Sequence, residues 1–369
     1  MMGAAHLTEW CRIPTSGARA VEPFNLDGIS LLAIPQLAYD DPGQPADMNG
    51  GNSDTDLQLL RLTPSGYQPF QSLPAPGGED AEFFRIGSRL FLATASIRSG
   101  RGPYEYNTDS IVYSWTGSRF EPFQAFPTFA AKQWRHFMVE DQHFLALAQG
   151  VARPDIESQN QPSRIFRWDG ESFKLFQDIP SQWAYNFHAF SIAGTDFLAH
   201  ADHVTPSRLY RWNGKRFVLH QDLVDKYGRA FASFHVDGTH YLLVACIFSP
   251  PQLMRWDGTR FVEHATLDGL GSREVAVLRG MHGLYVVRVN FILGTPSAPT
   301  TALTSQLYEW HDNGLVVVDE FPTFGGTDVA AYSDERGTLV AVSNSLSDDL
   351  HFAADTVVYR FVEEPSPEN

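Results

Sequence analysis

Asp80 and Glu82, two carboxylates spaced two apart, mark where this 369-residue chain could do chemistry, together with the residues at equivalent places elsewhere. On an extended strand, residues i and i+2 share a face, so each such pair presents two side chains to one side. Two rows result. The first is Ala20, Asp80, Gln133, Asn186, Ala230, Glu274 and Asp328; the second is Glu22, Glu82, Arg135, His188, Ala232, Ala276 and Ala330. Glu22, Asp80, Glu82 and Asp328 fall in adjacent repeats. Carboxylates gathered that closely repel one another unless protonated or neutralised by a cation. Oxygen-only ligands suit Ca²⁺ or Mg²⁺. A cation among these four is one reading; solvated carboxylates, or pairing with Arg135, is the other. Glu82, Arg135 and His188 form a second combination. Glu82 or His188 could serve as acid or base, and Arg135 could hold an anionic group. A structural ring of salt bridges and hydrogen bonds is the alternative. The alanines opposite leave room for a ligand.

His200-Ala201-Asp202-His203, with His188, could suggest a transition-metal site. Neighbouring strand residues point to opposite faces, however, so all four cannot converge. His136 and His235 read as packing residues between repeats. Aromatics outside the repeat pattern are ligand candidates on the upper loops: Tyr104, Tyr106, Phe129, Trp134, Trp183, Tyr185 and Tyr227. There is no nucleotide-binding loop, no Gly-x-Ser-x-Gly and no zinc-protease helix, so no organic cofactor is expected.

The elements that must position these residues are repeats. Segments of aromatic-Arg-Trp type end at Gly117, Gly170, Gly214 and Gly258, with weaker copies at Leu59–Leu62, Gln306–Trp310 and Val357–Phe361. The tryptophans Trp115, Trp168, Trp212, Trp256 and Trp310 are spaced 53, 44, 44 and 54 residues apart. A period of this length signals a repeat architecture. After each strong copy, Asp-Gly or Asn-Gly predicts a two-residue hairpin. A strand of alternating aromatics follows, then a Pro-Thr loop as at Phe126-Pro127-Thr128, then two strands around a Gly-rich turn. Four hairpin-linked strands make one propeller blade. The expected fold is therefore all-β: a seven-bladed β-propeller of four-stranded antiparallel blades, one domain over residues 1–369. The last blade lacks an outer strand, which the N-terminal strand (about residues 5–12) supplies, closing the ring and removing its exposed edges. Residues 363–369 read as a disordered tail. The tryptophans belong to the blade cores.

The F-x-x-F-Q-x-[ILF]-P-T and F-x-I-x-G-x-x-Y-L-A-V-A elements, closed by I-Y-R-W-x-G, resemble the epilepsy-associated or EPTP repeat over essentially the whole chain. The resemblance implies a seven-bladed propeller. Asp80-x-Glu82 resembles the acidic D-W-E segment of that family, whose channel is thought to hold a cation; most other blades here lack the pair. The family's best-known members, the leucine-rich glioma-inactivated proteins, are secreted and bind receptor ectodomains. The N-terminal segment lacks the long apolar run of a signal peptide, so none is expected, and with no leucine-rich repeats in this sequence those partners are not expected to carry over.

A formal net charge of −16 argues against nucleic-acid and anionic-membrane partners. Two cysteines, Cys11 and Cys246, make no disulfide framework, and no apolar run is long enough to span a membrane. A cytoplasmic monomer is expected. Loops at about 37–55, 97–108, 150–161, 291–304 and 346–355 crowd one face, where propellers concentrate function. Two functions fit. One is a recognition propeller that binds a small molecule or protein on its top face and channel mouth. The other is a cofactor-independent lyase, isomerase or cyclase, such as a biosynthetic enzyme, with an acid/base pocket at the channel mouth. Either site is expected off-centre, toward blades one to four.

Overall fold

A computed structural model describes residues 5–157, 159, 161–334 and 337–364. Among these residues there is no helix, and so none long and apolar enough to cross a membrane. Seven four-stranded antiparallel sheets form the ring. Their innermost strands are Glu22–Leu26, Gly78–Ile86, Ala131–Val139, Ala184–Ile192, Gly228–Val236, Ser272–Arg279 and Gly326–Asp334 in blades one to seven. Blade seven runs outward through Gly337–Asn344 and Thr356–Glu363 to the N-terminal strand Ala5–Ile13. That strand pairs from Ala5 with Glu363 to Ile13 with Thr356, so the first and last segments of the chain lock the ring. Glu363 is a strand residue, not part of a tail: its carboxylate accepts hydrogen bonds from Met281 N, His282 N and the Tyr285 hydroxyl. The rest of the expected tail beyond residue 364 lies outside the described residues.

The alternation of large apolar residues gives every pair of neighbouring blades its own buried cluster. Phe84, Phe91, Trp134, Leu145 and Phe173 join blades two and three; Phe197, Leu209, Phe231 and Phe261 join blades four and five. The repeated tryptophans pack on these clusters, as Trp168 does against Phe91 and Phe173. An eighth cluster, with Leu37, Met48, Ile97, Ile247, Phe291 and Phe352, lies among the long upper loops.

Two local expectations are corrected. The Trp-Asp-Gly turns are four-residue loops, because Trp168 pairs with Phe173 and Trp256 with Phe261. The Asp169 side chain accepts the N–H groups of Glu171 and Ser172, an interaction that a two-residue turn has no room for. True two-residue turns lie between first and second strands, as at Asp237-Gly238, where both residues have positive φ. The Pro-Thr segments at Pro127-Thr128 and Pro322-Thr323 are not loops. Pro127 and Thr128 continue the outer strand Phe120–Phe129, whose free edge tolerates a residue without an N–H.

The Gln of the F-Q motif explains its recurrence. Gln177 donates to Phe217 O at 2.8 Å and accepts from Phe217 N at 3.0 Å, tying the outer strand of blade three to that of blade four. Gln71, Gln124 and Gln221 do the same to Phe120, Phe173 and Phe261. Asp319 takes this role at the closure, accepting Leu7 N at 2.7 Å. Blade five has Ala265 at the equivalent place.

Candidate functional site

Both expected rows face the central channel. A cavity of about 280 Å³ is lined by Glu22, Asp80, Glu82, Gln133, Arg135, Asn186, His188, Glu274 and Asp328, together with Ala20, Ala232 and Ala330. The polar rows have a structural task. The free edge of each inner strand presents unpaired N–H groups to the preceding blade, and these side chains accept them. Asp80 accepts Trp134 N, Gln133 accepts Phe187 N and Asp328 accepts Val21 N. In the second row Glu22 accepts Phe83 N and Glu82 accepts His136 N.

Burial, and the Glu82 charge beside it, push the Asp80 carboxyl up to about 8. Burial and Asp328 do the same to Glu274, also to about 8. Burial raises Glu22, Glu82 and Asp328 as well. The expected cation ligands therefore line one cavity, but each is committed to a neighbouring backbone N–H. Among the described residues no three His, Cys, Asp or Glu side chains are placed to hold a metal ion.

The Glu82, Arg135 and His188 combination separates. Glu82 and Arg135 form an ion pair at 3.1 Å. His188 instead shares a hydrogen bond with Ser233 at 2.8 Å. Burial and the Arg135 charge hold His188 down to about 3, so it is neutral at physiological pH. The four-residue His/Asp segment diverges as well. His200 bonds Ser163, Asp202 accepts the N–H groups of Gln182, Trp183, Val204 and Thr205, and His203 accepts from Arg229.

A further row, missed in the sequence, stands above these two: Arg19, Glu79, Lys132, Tyr185, Arg229, Arg273 and Thr327. Each immediately precedes a first-row residue, so strict alternation would turn it away from the channel. In blades two to seven a β-bulge intervenes. Gly78 pairs with Ser96 and Asp80 with Ala95, leaving Glu79 as the extra residue; the same shift occurs at Lys132, Tyr185, Arg229, Arg273 and Thr327. A bulge re-aims its side chain. The available signal was a small residue just before it, namely Ala18, Gly78, Ala131, Ala184, Gly228, Ser272 or Gly326. At Gly228 a Cβ would stand 2.1 Å from Ser207 Oγ.

All of this row except Thr327 lines a second cavity of about 500 Å³ that opens through the upper loops. Its walls are mainly apolar: Leu37, Met48, Ile97, Val151, Ile156, Trp183, Ile247, Phe248, Phe291 and Ile292. Arg19, Glu79, Lys132, Tyr185 and Arg273 line both cavities, so the row separates the upper one from the channel below. Glu79 pairs with Lys132 at 3.3 Å and Arg19 at 3.7 Å. Tyr185 lies under three cations: Arg229 Cζ at 3.7 Å, Arg273 Cζ at 4.9 Å and Lys132 Nζ at 5.2 Å from its ring centre. Burial alone would raise the phenol; Arg229, Lys132 and Arg273 outweigh it and hold the pKa below its ordinary value. Burial lowers Arg229 to about 10.

Of the aromatic candidates, Tyr106, Trp183 and Tyr185 line the upper cavity. Tyr227 packs against His203 and Phe248 within the upper apolar layer. Trp134 is corrected. It is wholly buried between blades two and three, its indole N–H donated to Thr94 O, because it alternates with channel-facing Gln133 and Arg135. Beside Arg19, Glu79, Lys132 and Tyr185 from blades one to four, blades five and six add Arg229 and Arg273 to the upper cavity.

The EPTP domain family matches residues 67–116, 119–169, 172–213 and 216–257. Among curated proteins, the human thrombospondin-type laminin G domain and EAR repeat-containing protein is 26% identical over 179 residues, 47% of this chain and 25% of that protein. Human leucine-rich repeat LGI family member 4 is 29% identical over 170 residues, 42% of this chain and 27% of that protein. The chain thus spans about a quarter of the length of these relatives. The solved structure of BBS1N in complex with ARL6DN aligns over 98% of this chain and 97% of its own, with a TM-score of 0.57 and 12% identity, a likeness of fold alone.

Proposed function

Since the chain belongs to the EPTP domain family, we propose that it is a recognition propeller whose top-face cavity receives a small molecule or a protruding group of a protein partner. The observation that carries this is the cavity of about 500 Å³ over the channel mouth. Its volume lies in the range of small-molecule sites, and it joins apolar walls to a few convergent polar groups, as such sites do. Four of the five long loops contribute to it, through Leu37, Met48, Ile97, Val151 and Phe291.

The acid/base alternative draws no comparable support. Glu82 is engaged by Arg135 and His136 N, and His188 is turned to Ser233. The recognition reading is tested by fragment screening with ¹⁵N-labelled protein, using neutral and charged fragments. Bound fragments should shift amides around Tyr185, Phe248 and Phe291, and Val151→Trp should abolish those shifts. Fragments that cluster on the opposite face, or bind Val151→Trp unchanged, would contradict it.

A further inference from the structure

The cations of the upper cavity are unevenly satisfied. Arg19 and Lys132 share Glu79, the one carboxylate in that row. Arg229 and Arg273 are 4% and 7% exposed, and neither has a carboxylate within ion-pair distance among the described residues. Among the described residues the Arg229 side chain donates only to His203 Nδ1 and Gly228 O, and its buried Nε has no hydrogen-bond partner. The Arg273 side chain makes no hydrogen bond among the described residues; its guanidinium stands over Tyr185.

Buried cations without counter-charges are costly, by several kcal/mol per ion, and are found where something pairs with them. Four cations against one carboxylate leave a net excess of three positive charges in this row, in a chain whose net charge is −16. General surface charge therefore does not explain them. The β-bulges turn Lys132, Arg229 and Arg273 toward the cavity floor beside Arg19, and the walls above are mainly apolar, with Arg98 and Arg153 among them.

Resting on the recognition reading above, we propose that the ligand is an amphipathic organic acid. Its carboxylate or phosphate group sits on Arg229, Arg273 and Lys132, and its apolar body lies against Ile247, Phe248 and Phe291. Guanidinium groups suit this task because they pair planar oxyanions through two parallel hydrogen bonds.

Calorimetric titration of the full chain with octanoate, 1-octanol and inorganic phosphate tests it. Octanoate should bind, 1-octanol at least about tenfold more weakly and phosphate weakly, because each of the latter keeps one half of the ligand. Arg273→Gln should weaken octanoate by about tenfold or more and leave 1-octanol unchanged. Arg229→Gln should do the same, so the test survives if one variant fails to fold. Arg135→Gln, in the lower channel, should bind octanoate as the unmodified protein does. Equal binding of octanol and octanoate would overturn the inference while leaving the recognition reading intact. Octanoate affinity unchanged in both arginine variants would also overturn it, as would no binding of either anion at millimolar concentration.

Discussion

Asp80→Asn should stabilise the protein at neutral and alkaline pH, although it removes a buried residue that accepts a backbone hydrogen bond. Asp80 sits on the channel wall with its carboxyl raised to about 8, first by burial and then by Glu82. In the unfolded chain the same group titrates near about 3.9. Between those values the native state holds a proton that the unfolded state has lost. Stability from this group is therefore complete below about pH 4 and falls as pH rises through about 8. The gap between the two values is about four pH units, and at about 1.4 kcal/mol for each it sets a ceiling of about 6 kcal/mol. Water in the channel cavity screens part of this, and we expect a gain of about 1–3 kcal/mol at pH 9. The substitution keeps the structural role: an asparagine oxygen can still accept Trp134 N, as the Gln133 amide accepts Phe187 N one blade on. Urea unfolding of both proteins at pH 5, 7 and 9 provides the measurement. The two should nearly coincide at pH 5 and diverge with rising pH. Loss of stability at all three pH values, or an unchanged pH slope, would refute the reasoning.

Further expectations follow from the joints between blades. Gln177→Ala leaves the N–H and C=O of Phe217 without their side-chain partner and should cost about 2 kcal/mol in urea unfolding. Ala265→Gln restores the missing tie between blades five and six and should raise the melting temperature by a few degrees, equivalent to about 1 kcal/mol; a fall would argue that the cluster there has no space for it. Deleting residues 1–13 bares the edge of Thr356–Glu363 and should replace cooperative melting with aggregation, detected by light scattering. His188→Ala should flatten the pH dependence of stability below about pH 6.5: the folded protein holds His188 down to about 3, whereas the unfolded chain takes up its proton near about 6.5, so this residue costs stability as pH falls toward 5; an unchanged slope in urea unfolding between pH 5 and 7 would contradict its buried, Arg135-facing setting.

The ring, its seven blades and its closure were legible because strand alternation and turn residues repeat, and repetition averages out local irregularity. The two channel rows were legible for the same reason. The floor of the upper cavity was not, because one inserted residue per inner strand reverses the alternation rule. Lys132, Arg229 and Arg273 read as turned away from the channel until the register shifts show otherwise. Trp134 was misplaced because it stands outside the repeat pattern and so reads as an upper-loop aromatic, yet its side of the strand packs between blades. The separation of His188 from Glu82 depends on the Ser233 hydroxyl of the next blade, which no spacing encodes.

Recognition of an anion on the bulge row is tested most directly by a crystal structure grown with octanoate. The carboxylate should lie within hydrogen-bonding distance of Arg229 and Arg273, with its chain along Phe248 and Phe291. An octanoate bound elsewhere on the propeller, with the upper cavity holding only water, would contradict the account.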